Sequence, residues 1–269
     1  MSGAIFRLEL RRSRTLVGWL VVTLVLYGGV MAVFYPRMRE NAAEFSRLLE
    51  LWPKEFLAAF GMSDSTSLGD PGVFFNVYLG SMLWPVVAGI GAILLATRST
   101  AADVDRGWAE ASLAAPVSRI RYLSLAIGVQ IVAMAILAAA MVAGVLAVGA
   151  LVDARFDGPR FALAGLLGFV YACAIAAITT LLGAVTLSRG IAGGIVAGVL
   201  LAMYLFQAVS QVDPGLEWLK YLSAFYYYDS VSIIDTGAFA WGDCAVFGAV
   251  AVGAWSLAVL VFRRRDILA

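Results

Sequence analysis

The side chains that usually carry enzymatic or metal chemistry are scarce in this sequence. It has no histidine, and its only cysteines, Cys173 and Cys244, stand in separate apolar runs. A zinc site draws its ligands from clustered His, Cys and acidic residues, so no metal site is expected, and both cysteines read as small buried residues. The only lysines, Lys54 and Lys220, precede Glu55 and Tyr221, and neither follows a glycine. The Gly-Lys-Ser/Thr that cradles phosphates is therefore missing. There is also no G-x-S-x-G elbow for a nucleophile. No catalytic residue is expected on this chain. The residues best suited to chemistry form a surface instead. Segment 98–122 is polar and of mixed charge, with Arg98, Asp103, Asp105, Arg106, Glu110, Arg119 and Arg121. Residues 103–115 can form one short helix, closed by Pro116, because proline disfavours helix at the residue before it. Two readings stand: a solvated loop, or a docking helix for a partner.

The elements that hold this segment are set by composition. Of 269 residues, 62% are hydrophobic and 14% charged, and the mean hydropathy is +0.90. A soluble domain carries about 45–50% apolar and about 25% charged residues, so a water-soluble or disordered chain is excluded. The apolar runs are long and unbroken rather than alternating, which favours helices over a β-barrel. Six spans are predicted, at about 16–35, 73–97, 123–152, 161–187, 190–210 and 244–262. The fold class is all-α, a polytopic membrane protein. Net charge is +1, which offers nothing to nucleic acid. With the N-terminus inside, the inside segments hold 12 Lys and Arg and the outside segments 7, so both termini are expected to be cytoplasmic in a cell membrane.

The flanking segments carry their own patterns. Arg7, Arg11, Arg12 and Arg14 interleave with apolar residues before the first span, as in a short interfacial helix facing membrane lipid. In the first outside segment Phe45, Leu48, Leu49, Trp52 and Phe56 fall on one helical face. The third carries Trp218, Tyr221, Phe225, Tyr226, Tyr227 and Tyr228. Amphipathic helices are expected in both, serving as an aromatic belt at the membrane boundary or as a surface for cargo. Within the spans the polar exceptions are Asn76, Gln130 and Gln207, and no charge stands in a central part. Ion-coupled carriers usually place carboxylates there, so coupling of that kind is not expected. Gly190, Gly194 and Gly198 share one face of the fifth span and suit close helix packing, within the chain or at a subunit interface.

The run Asp105-Arg106-Gly107-Trp108-Ala109-Glu110-Ala111-Ser112-Leu113-Ala114-Ala115-Pro116-Val117-Ser118-Arg119 resembles a motif of type-2 ABC transporter permeases. There the loop after the second span reads approximately acidic–basic–Gly–Thr–x–x–x–Leu–Leu–x–x–Pro–Val/Ile–Ser–Arg. Gly107, Leu113, Pro116, Val117, Ser118 and Arg119 match, while Trp108 replaces the usual Thr and Ser112 the first Leu. The basic N-terminal segment, the long first outside loop with Pro53 and Gly61, and the ending Phe262-Arg263-Arg264-Arg265-Asp266 are similar too. The resemblance implies one permease domain over residues 1–269, with 98–122 as its coupling loop. It implies an exporter whose pathway lies between two permease subunits, as a homodimer or heterodimer, each resting on a separate cytoplasmic ATP-binding subunit. ATP then belongs to that partner, and this chain binds no cofactor. A coupling helix from Asp105 to Leu113, with Gly107 and Glu110 within it and Pro116, Ser118 and Arg119 fixing its exit, would seat in the ATPase. The alternative is a membrane scaffold or assembly factor that moves nothing.

Topology is open to direct test. A single cysteine at Ser112, in a background without Cys173 and Cys244, is expected to label only from the cytoplasmic side. Labelling from outside would overturn the charge-based orientation.

Overall fold

A chain crossing hydrocarbon must satisfy its backbone within each segment, and the long apolar runs do so as helices. The computed structural model describes residues 2–41, 43, 44, 47, 51, 74–98, 118–153, 156–212 and 214–264. Among these residues no strand forms. Helix α1 runs Ser2–Glu40. The second span opens as a π-helix, Asn76–Leu83, and continues as α2, Trp84–Thr97. Then follow α3 (Arg119–Leu151), α4 (Gly158–Thr186) and α5 (Arg189–Val212). A 3₁₀ segment (Pro214–Leu222) and two short helices, α6 (Ala224–Tyr227) and α7 (Ser230–Thr236), lead to α8 (Trp241–Arg264).

Among the described residues six helices are long and apolar enough to cross a membrane, and each coincides with one expected span. Successive spans alternate in direction. The start of α1, the end of α8 and the 187–188 turn therefore stand at one end of the bundle, called proximal here, and residues 214–240 at the other, distal end. The boundaries differ from hydropathy where caps decide them. Helix α3 starts at Arg119, about one turn early, because the Ser118 side chain accepts the Arg121 N–H at 3.3 Å. The basic N-terminal segment is continuous with the first span instead of forming a separate interfacial helix. The helix expected over 40–60 falls almost wholly outside the described residues. Segment 211–243 does form short helices among its described residues, as its pattern predicts.

Helix α4 is the hub. In its most apolar stretch 67% of residues are buried, and 61% in the second span, against 17% in α1 and 11% in α5. Helix α8 packs chiefly on α4, and α1 on α3. The buried face of α4 is built of small residues, among them Ala164, Gly168, Ala172, Ala176, Ala177 and Ala184, which let neighbouring backbones approach. At Gly168 an added methyl would stand 2.6 Å from Trp84 Nε1, and at Gly165 it would run into Val142. One buried polar knot ties three spans together: Gln130 Oε1 on α3 accepts from Thr180 Oγ1 on α4 at 3.0 Å and from Trp255 Nε1 on α8 at 3.3 Å.

At the proximal end Leu187, in the left-handed region (φ 51°), closes α4 by donating its N–H to Gly183 O. Helix α5 begins two residues later. There too Arg98, the residue just past α2, donates from Nη1 to Arg12 O at 3.2 Å, joining the second span to α1.

Gly168→Ala is expected to lower stability by about 1–3 kcal/mol, because Trp84 is buried and cannot give way freely. Gly194→Ala, whose methyl would meet nothing within 4 Å, should change it by less than about 0.5 kcal/mol. Unfolding by denaturing detergent in mixed micelles measures both.

Candidate functional site

The distal half of the second span differs from an ordinary helix. Over Asn76–Leu83 the backbone bonds skip one residue more than in an α-helix, and the Trp84 N–H closes the last wide turn on Leu79 O. Such widened turns bulge and often stand at functional sites. Gly80 makes this one possible to pack: a methyl there would collide with the Asn76 side chain and lie 3.2 Å from Ser230 Oγ. The bulge receives the distal helices. Tyr228 donates its hydroxyl to Gly80 O at 3.1 Å, and Ser81 Oγ lies 3.4 Å from Ser230 Oγ. Burial pushes the Tyr228 phenol well above its usual range, so it stays protonated as a donor. Its ring stacks at 4.9 Å on Tyr171 of α4, which also meets Phe247 edge-on at 5.5 Å.

The distal helices are individually capped. Ser223 caps α6 and Asp229 caps α7, whose far end turns at Gly237 (φ 74°). Arg160 on α4 clamps that end, with Nη1 donating to Ile234 O at 2.8 Å and Asp235 O at 2.9 Å while Nε pairs with Asp157 at 3.0 Å. A cation at a helix C-terminus complements the exposed carbonyls.

This packing leaves a cleft of about 900 Å³ between the second span and α5, roofed by α6 and α7. Its proximal walls are apolar, with Val86, Ile90 and Ile93 facing Leu200 and Leu201. Its distal part is polar, lined by Ser81, Tyr204, Gln207, Gln211, Tyr226, Asp229, Ser232 and Asp235. The amide oxygens of Gln207 and Gln211 are buried there without a hydrogen-bond partner. The arrangement holds no nucleophile paired with a base. It can enclose an amphipathic molecule and bond its polar end.

The structure distributes the sequence candidates unevenly. Asp105, Gly107, Glu110, Leu113 and Pro116 lie outside the described residues. Ser118 is the N-cap of α3 and Arg119 its first residue. Of the polar exceptions, Gln130 ties helices together, Gln207 lines the cleft, and Asn76 packs against the Gly80 turn. Gly190, Gly194 and Gly198 pack against nothing among the described residues. All three are exposed, with nothing within 4 Å of an added methyl. The inner edge of α5 instead uses Ala192, Gly193 and Val196. The distal aromatics are not a uniform belt. Trp218 and Tyr221 are exposed, Tyr228 is buried, and Phe225 and Tyr226 turn to the cleft. Sequence reasoning missed Gln211, Asp229 and Asp235. The one available signal was acidic residues interleaved with the distal aromatics.

A family model described as ABC-2 family transporter protein matches residues 4–267. No curated protein matches the chain.

Tyr228→Phe removes the bond to Gly80 while keeping the ring stack. A net loss of about 1 kcal/mol should speed amide hydrogen exchange in α7 roughly fivefold. Tyr221→Phe, at an exposed position, should leave those rates unchanged.

Proposed function

Since the chain belongs to the ABC-2 family of transporter proteins, in which it is a transmembrane permease subunit and not the ATPase, we propose that it forms one half of an ATP-driven exporter. The observation that carries this reading is the cleft between the second span and α5, walled by apolar side chains and closed distally by capped helices. In this reading both termini face the cytoplasm of a plasma or inner membrane. A separate ATP-binding subunit docks on the coupling segment through Asp105, Gly107, Glu110 and Leu113, and ATP is bound there. This chain holds no cofactor of its own.

The connections around that segment suit force transmission. Segment 99–117 joins α2 to α3. On one side Arg98 is bonded to α1, and on the other Ser118 caps α3. A push on the segment therefore acts on three spans at once, tilting packed helices against one another. The second span can answer at its distal end because the widened turn interrupts its regular ladder. Its motion against α5 opens or closes the cleft.

A second permease subunit completes the pathway. Helix α5 buries little among the described residues, and its Gly190, Gly194 and Gly198 edge meets none of them. Small residues on one face let a second helix approach closely, so this edge is assigned to the subunit contact.

The docking reading has a direct test. Glu110→Arg with Leu113→Asp should leave membrane insertion and size-exclusion behaviour intact. Capture of the ATP-binding subunit should fall at least tenfold, since reversing a charge and burying another at an interface costs several kcal/mol. Stimulated ATP hydrolysis and transport should fall together. Unchanged capture with unchanged transport would reduce 105–119 to a solvated loop.

A further inference from the structure

We propose that the cleft takes an amphipathic organic cation, with its apolar body between the proximal walls and its positive charge beside Asp229 and Asp235. This rests on the reading of the cleft as the transport pathway and adds the chemical class of the cargo.

The two ends of the cleft ask for different things. The proximal walls of Val86, Ile90, Leu200 and Leu201 offer no hydrogen bond and suit hydrocarbon or aromatic surface. The distal end offers acceptors. Asp229 spends Oδ1 on the Ser232 N–H at 3.0 Å, which still leaves it a carboxylate in the cleft wall. Asp235 lies less than two turns further along α7 and lines the same space. The side chains of Gln207 and Gln211, one turn apart on α5, line the opposite wall.

Among the described residues no Lys or Arg lines the cleft. The cations on neighbouring elements are committed: Arg160 to Asp157 and the end of α7, and Lys220 to Glu217 and the rings of Tyr221 and Tyr226. An anionic head would face the two carboxylates of Asp229 and Asp235, whereas a cation meets them directly. The ring of Tyr204 in the same wall adds a negative face that attracts a cation.

Two probes of nearly equal shape and opposite charge separate charge from fit: tetraphenylphosphonium and tetraphenylborate. Their saturable binding is measured on the full chain in lipid nanodiscs, with empty nanodiscs subtracted. The phosphonium is expected to bind at least tenfold tighter than the borate. Asp229→Asn with Asp235→Asn should weaken the phosphonium at least tenfold while keeping the α7 cap, since asparagine caps as well as aspartate. Ala197→Phe, which places a ring between the walls, should abolish binding. Equal binding of the two ions, a preference for the borate, no saturable binding of either, or indifference to the two Asn changes would overturn the cation assignment. Phosphonium binding that persists through Ala197→Phe would overturn the cleft itself as the site, a failure distinct from the first.

Discussion

Lipid chains are as apolar as leucine, so helices inside a membrane gain nothing by merely hiding apolar surface from one another. What holds this bundle is close fit, and close fit depends on α4. Its run of Ala and Gly lets the second span, α3 and α8 come near enough for dispersion contacts to accumulate. Trp84 lies in the space that Gly168 leaves open, and Val142 in that left by Gly165. Gln130 adds direction to this fit, because its single oxygen is shared by Thr180 and Trp255 from two other helices. Everything peripheral, including the cleft, exists because α5 is excluded from this tight centre.

The distal end is organised by different forces. There the chain leaves hydrocarbon, and short helices need capping to persist, since helices of a few residues are unstable alone. Ser223, Asp229 and Gly237 supply the caps, Arg160 clamps the last of them, and Tyr228 fastens the group to the widened turn. Each is a polar contact to backbone, so the roof of the cleft is held by hydrogen bonds, whereas the bundle below is held by packing.

The sequence and the structure agree where hydropathy is the physics that matters. Six long apolar runs became six helices, and the motif after the second span pointed to the family that the match over residues 4–267 shows. Hydropathy does not say which face of a span meets protein, since lipid and side chain are equally apolar. That is why Gly190, Gly194 and Gly198 were compatible with packing inside the chain or at a subunit interface, while the hub helix, equally rich in small residues, was not singled out. The widened turn at Asn76–Leu83 leaves no compositional trace, and without it the partnership of Gly80 with Tyr228 cannot be foreseen. Asp229 and Asp235 resembled ordinary polar loop residues until the distal helices folded back over α5.

The connection between α4 and α5 is only Leu187 and Ser188, with Thr186 and Ser188 bonded across it. So short a joint fixes the proximal end of α5 to the hub and leaves no slack for sliding. Helix α5 can then move only as a lever about that fulcrum. Over 24 residues its arm is about 36 Å at 1.5 Å per residue, so a swing of about 7° displaces the far tip by about 4 Å. That is close to the girth of a methylene chain, so a rotation too small to disturb the hub is enough to change what fits past Gln211.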